Sequence, residues 1–167
     1  MELTFSFRGF LSRFFRARAI SSASSTGGVL ATQTDFQVKY SNPAGVWTSR
    51  RLTQVVEVQG ARMIYLSGQT AVDENYRLRG SDIRQQAHAV YDNIELALRS
   101  VGATLHNVVK TTTYLTNADD IAASREVRLE RYKSLQAPPA STLLVVSRLA
   151  EPGFLIEIDV VAALPAR

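Results

Sequence analysis

The sequence predicts an α+β sandwich, a sheet with helices packed on one of its faces. Three observations carry that expectation. Apolar residues alternate in short segments and recur at helical spacing in two longer ones. These segments follow one another in the order strand-strand-helix-strand-helix-strand-strand. The strands also have unlike faces, one apolar enough to meet helices and one in which carboxylates stand among apolar groups.

The elements can be justified in order from Gln33. Asn42-Pro43-Ala44-Gly45 marks a turn or loop. Thr53–Val58 (TQVVEV) and Ala61–Ser67 (ARMIYLS) are strand-like, and Gln59-Gly60 between them suits a short hairpin. Ser67-Gly68-Gln69 then leaves the sheet, and Asp73–Gly80 is an irregular polar loop. Asp82, with Gln85 three residues on, makes a capping-box-like helix start that Ser81 could share. Ile83, Ala87, Val90, Ile94, Ala97 and Val101 recur at helical spacing, and Gly102 closes the helix. Val108–Leu115 (VVKTTTYL) is rich in β-branched residues, hence a strand. A second helix is expected from about Asp119 to Leu135, with Ile121, Val127, Leu129 and Tyr132 buried. Pro138-Pro139 ends that region. Two strands joined by a short loop then fill Pro138–Ala163.

One sheet face has a mixed composition. In the last strand Leu155, Glu157 and Asp159 share a face, while Ile156, Ile158 and Val160 share the other. In Val108–Leu115, Lys110, Thr112 and Tyr114 alternate with Val109, Thr111 and Thr113. A carboxylate in an apolar strand is costly unless something pairs with it or binds it. A subunit interface containing polar pockets resolves that mixture, and closed symmetric assembly is its usual form.

Composition narrows the chemistry. A chain of 167 residues suggests one core plus an appendage. Without cysteine there is no disulfide, thiol nucleophile or thiolate metal site. His88 and His106 alone give no paired-histidine metal motif, and both read as solvated. No apolar run reaches the roughly 20 residues of a membrane-spanning helix. Before Gln33 the only acid is Glu2, against Arg8, Arg13, Arg16 and Arg18, so the 19 basic and 15 acidic residues become 15 and 14 in the remainder. In that near-neutral remainder Arg50-Arg51 with Arg62, Arg77 and Arg79 is only a modest phosphate-binding candidate, and neither nucleic acid nor membrane is an expected partner.

Residues 1–32 differ in kind. Phe5, Phe7, Phe10, Leu11, Phe14 and Phe15 alternate with arginines, and a serine-rich run and Gly27-Gly28 follow. That is the composition of a mitochondrial transit peptide, with a disordered leader as the other reading. Location is therefore the mitochondrial matrix if the leader is a transit peptide, and otherwise the cytoplasm.

Asn42-Pro43, Ile64–Gln69 (IYLSGQ), Asn93, Val108–Thr112 (VVKTT) and Ile156-Glu157-Ile158 agree in order and spacing with landmarks of the RidA (YjgF/YER057c/UK114) family, which residues 33–167 resemble. The resemblance implies a chorismate-mutase-like (YjgF-like) sandwich: one mixed sheet, two helices on one face, and a homotrimer with a small-molecule substrate in each inter-subunit cleft. It implies hydrolysis of reactive enamines and imines to oxo compounds and ammonia, with neither cofactor nor metal. By position, Glu157 matches the carboxylate that orients or activates water, Ser67 the site serine, and Lys110 a strand lysine. The family's Pro-Ala-Arg-Ser reads Pro139-Ala140-Ser141-Thr142, so Ser141 stands where an arginine would grip the substrate carboxylate. The chain therefore resembles an arginine-lacking branch. Leu52 sits where many members have a cleft tyrosine, and Arg125 stands where some have asparagine. Arg125, Arg51 or Arg50 is expected to supply the missing cation; the alternative is an altered substrate, one without a carboxylate.

Structural alternatives stay open beside these roles: Glu157 or Lys110 as an ion-pair partner, Ser67 as a strand end, Ser141 as a strand-start cap. Two other functional classes follow from the same residues. Ser141 favours a non-catalytic small-molecule-binding or chaperone-like trimer. The ribonuclease activity sometimes attributed to the family is opposed by the near-neutral domain.

Overall fold

The structure, a computed structural model, describes residues 35–166; the leader expected at residues 1–32 lies outside them. Strands β1 (Gln37–Ser41) and β2 (Val55–Gln59) pair antiparallel as a small sheet of their own. The main sheet contains β3 (Ala61–Gln69), β4 (Val108–Leu115), β5 (Ala140–Val145) and β6 (Ile156–Pro165), in the spatial order β3-β6-β4-β5. It is mixed: β4 and β5 run parallel, and the other pairs are antiparallel. Helices α1 (Ile83–Ser100) and α2 (Ile121–Arg131) complete an α+β fold.

Local chemistry explains the helix boundaries. The Asp82 carboxylate accepts the Gln85 N–H at 2.9 Å, and the Gln85 side chain accepts the Ser81 N–H at 3.1 Å, so the two residues do share the start of α1. Gly102, at φ 77°, ends the helix in the left-handed region. Ile83, Ala87, Val90, Ile94 and Leu98 are buried, facing a core that includes Val108, Leu115, Ile156, Ile158 and Val160. Truncating Ile94 to alanine there would cost about 2–5 kcal/mol. Asn93 in mid-helix donates to the carbonyls of Thr70 and Val72, tying the loop after β3 to α1. His88, expected to be solvated, instead bridges the helices: Arg131 donates to its carbonyl, and its ring lies 3.5 Å from Glu130.

The topology departs from the sequence reading in four places. A separate β1-β2 sheet stands beside the mixed one, and β1 was not anticipated because its five half-exposed residues lack a turn signal in front. The β2-β3 hairpin does not form. Only Gly60, at φ 61°, separates those strands, which is fewer than the two residues a tight hairpin needs, so β2 turns away to pair with β1. The last two strands are joined by residues 146–155, longer than the short loop expected, and β4 lies between them. Finally, α2 stops at Arg131, short of Leu135, and Leu129, expected to be buried, is 43% exposed while Arg128 beside it is buried.

Candidate functional site

The open face of the sheet holds the carboxylates. Glu157 and Asp159 of β6 stand on it with Lys110, Thr112 and Tyr114 of β4, because strand residues two apart share a face. Tyr114 donates its hydroxyl to Asp159 Oδ2 at 2.9 Å. That bond, with the Asp159 charge, pushes the Tyr114 phenol up. Glu157 lies opposite Tyr114 in the β4-β6 register, and its carboxyl occupies the space a Cβ at Gly68 would fill. The β3-β6 register shifts between Leu66 and Gln69, the bulge that brings Gly68 under Glu157. Ser67, in the same bulge, is exposed. Burial first, and repulsion from Asp159 second, hold the Glu157 carboxyl above the usual carboxylate range. Beside it, Glu157, Asp159, Tyr114 and Arg148 border a cavity of about 470 Å³.

Lys110 donates to Thr142 Oγ1 at 2.5 Å. It forms no ion pair with Glu157, and among the described residues neither Glu157 nor Asp159 has one. Burial and the nearby Arg128 charge push the Lys110 ammonium down. Apolar groups flank these polar ones. Tyr65 on β3 is 75% exposed, and Met63 and Leu144 are also exposed. The mixed face read from the sequence is thus present as derived.

Ser141, Arg125 and Arg51 lie elsewhere. They border a cavity of about 210 Å³ on the helix side of the sheet, between β5 and α2. Leu52 and Trp47 are in its wall. Ser141 sits opposite Thr111 in the parallel β4-β5 register and accepts a hydrogen bond from Thr111 Oγ1 at 3.4 Å. Arg50 lines a larger adjoining groove of about 920 Å³ with Arg51, Arg128 and Lys133.

Arg128 was missed in the sequence and is central to this side. It is 7% exposed, donates from Nη1 to Thr111 Oγ1 at 2.9 Å and from Nε to the Arg51 carbonyl at 3.3 Å, and stacks 4.8 Å from the Tyr132 ring centre. The signal was helical phase: Arg128 falls four residues after Ser124 and seven after Ile121, on the stripe that faces the sheet. Reading for apolar residues passes over it.

The candidate residues therefore form two half-sites separated by the sheet: Glu157, Ser67 and Lys110 on one face, and Ser141, Arg125 and Arg51 with Arg128 on the other. Among the described residues no group of three or more His, Asp or Glu side chains is placed to hold a metal ion. No helix among them is long and apolar enough to cross a membrane.

A mixed four-strand sheet with two helices, a bulge-seated carboxylate and a cationic pocket at the sheet edge define a small α+β domain. Comparison with known proteins makes the class specific. The family described as Endoribonuclease L-PSP matches residues 47–164, and the chain belongs to this family, known also as YjgF/RidA or RutC. Its members are typically enamine/imine deaminases. A RutC family protein of Pyrococcus abyssi is 32% identical over 134 residues, which cover 80% of this chain and 98% of the relative. The mitochondrial protein mmf2 of Schizosaccharomyces pombe is 34% identical over 110 residues, 64% of this chain and 83% of the relative. A crystal structure of the Rid family protein YyfB from Yersinia pestis matches with TM-score 0.69 and 31% identity, covering 76% of this chain and 98% of that one.

Proposed function

We propose that the protein hydrolyses reactive enamines or imines to oxo compounds and ammonia in clefts between copies of the chain, without a cofactor. The observation that supports this most directly is the Glu157 carboxyl, seated over Gly68 with its proton affinity raised by burial and by Asp159. A base with such an affinity is better suited to take a proton from water than an ordinary surface carboxylate. An imine carbon is already electrophilic. Glu157 accepts a proton from water as the water oxygen bonds to that carbon and the C=N π pair moves to nitrogen, and Glu157 then returns the proton to that nitrogen. The resulting carbinolamine loses ammonia as its C–N bond breaks and the C=O bond forms.

The split of the site supports assembly. A solute resting on Glu157 cannot touch Ser141 of the same chain, because β4 and the plane of the sheet intervene. Ser141 lies on the edge strand β5, where another copy's Glu157 face can approach it. The exposed Tyr65, Met63 and Leu144 give that approach an apolar surface to bury. A closed homotrimer is the form proposed.

The test generates 2-aminoacrylate or 2-iminobutanoate in situ with a dehydratase and follows oxo-acid release. Wild type should accelerate release, and Glu157→Ala should not. A silent wild type that gains activity with Ser141→Arg would overturn the reading for these substrates. Ser141 favours a second reading, a binding or chaperone-like trimer, which predicts ligand binding with no turnover by either form. For location, the composition of residues 1–32 and the mitochondrial relative support the mitochondrial matrix. Intact Met1 on protein recovered from the cytosol would count against it.

A further inference from the structure

The geometry points to Arg128 as the anion anchor of this chain: the cation absent at position 141 is supplied from helix α2, and the pocket it floors takes the carboxylate of a short 2-oxo or 2-imino acid. This rests on the deaminase reading for the identity of the ligand.

The first observation is an unpaired buried charge. Arg128 is almost fully buried, yet every partner it has among the described residues is neutral: the Thr111 hydroxyl and the carbonyls of Arg51 and Pro139. Among the described residues no carboxylate takes any of its five N–H groups, and the phenols of Tyr91 and Tyr132 that stand beside it are neutral too. Arg79, Arg84, Arg99 and Arg131 all have carboxylate partners, and Arg128 has none. A guanidinium removed from water without a counter-charge is held at a cost, which an incoming anion would relieve.

The second observation is the lining of the cavity. Arg51, Arg125 and Arg128 all border the 210 Å³ space, and no Asp or Glu does. Neither Arg51 nor Arg125 is in an ion pair among the described residues. The rest of the wall is largely apolar, from Trp47, Leu52 and Leu143. A space of this size matches roughly seven water volumes of about 30 Å³ each, the scale of a short-chain oxo acid.

The third observation links the anchor to the altered position. Arg128 Nη1 bonds Thr111 Oγ1, and that hydroxyl bonds Ser141 Oγ. The two positions address the same space from opposite walls. An arginine at 141 would enter a pocket that already holds a buried guanidinium, so the serine is the small neutral residue that the moved charge requires.

The test measures binding, which does not depend on turnover. Full-length protein is titrated calorimetrically with 2-oxobutanoate, uncharged 2-butanone and inorganic phosphate. Wild type should bind 2-oxobutanoate and not 2-butanone. Arg128→Met should weaken that binding at least tenfold, the scale of a charge-assisted bidentate contact. Arg128→Lys, which keeps charge and bulk but loses the fork, should weaken it severalfold and keeps the test decisive if the methionine variant does not fold. Arg128→Met/Ser141→Arg should regain binding. Equal binding of 2-oxobutanoate by folded Arg128→Lys or Arg128→Met and by wild type would overturn the assignment, as would no binding by wild type. Phosphate bound more than tenfold tighter than 2-oxobutanoate would overturn the carboxylate and assign a phosphorylated ligand. Glu157→Gln separates the two proposals: it should bind 2-oxobutanoate as wild type does and turn nothing over.

Discussion

The two faces of the main sheet carry opposite electrostatic deficits. On the open face, Glu157 and Asp159 lie close enough to repel, with a phenol hydroxyl as partner and, among the described residues, no base paired to either. On the helix face, three guanidiniums border one small cavity with no acid among them. Acids usually collect bases within their own fold, and elsewhere this chain follows that habit: Arg131 pairs with Asp92 and Glu95 across the two helices. The two deficits are complementary in charge and lie on opposite faces of one sheet. In the function proposed above, each serves a different end of one small polar solute, the acid side its reacting carbon and the base side its anion.

The ways to break that pairing run from large to small. Glu157→Ala should lower the deaminase rate by about 10²–10⁴-fold, the usual worth of a positioned base, with thermal stability preserved. Tyr65→Glu places a charge on the exposed apolar patch and should shift the protein toward monomer by light scattering. If the open face is not an interface, the mass will not change. Gly68→Ala puts a methyl where the Glu157 carboxyl lies and should cost roughly tenfold in rate. Combined with Glu157→Ala it should add nothing further, since both act through one carboxylate. An additive double variant would separate Gly68 from the site.

The acid limb comes next. Glu157 must be ionised to act as base, so activity should rise with pH through a midpoint above the roughly 4.3 of an ordinary glutamate. Asp159→Asn removes the repulsion and should move that limb to lower pH. Stability has the opposite sign. A carboxyl whose proton is held more tightly in the fold than in the unfolded chain favours the fold at low pH, and that contribution is lost as pH rises through its folded pKa. Glu157→Gln should therefore slightly raise the melting temperature at pH 7 while abolishing turnover. The smallest effect belongs to Lys39→Ala, which breaks the exposed Lys39–Glu57 pair at 2.9 Å and should change stability by less than about 1 kcal/mol.

Much of this was legible in the sequence, and the exceptions share a cause. The α1 cap, the apolar stripe from Ile83 to Ile94 and the alternation in β4 and β6 are local patterns, and each formed as read. Which strand lies beside which is not local. The β2 partner and the insertion of β4 between β5 and β6 depend on contacts far apart in sequence. The site shows the same division. Glu157, Lys110 and Ser141 could be named from the chain, but that the sheet divides them could not, because it depends on the phase of β5 against β4. Arg128 was hidden for another reason. Residue type argued for solvent, and only its place on the inner stripe of α2 argued against.

The position of β6 has a consequence for how the molecule is made. It is the last of the strands to emerge during synthesis, yet it pairs with both β3 and β4 and so occupies the interior of the sheet. Until it arrives, β3 has no neighbour in the main sheet, and β4 has only β5. Assembly of the hydrophobic interior must wait until β6 has been made, a long-range closure of the kind that slows folding. The strand that ends the wait also carries Glu157 and Asp159, so the carboxylates of the open face and the finished core come into being in one event.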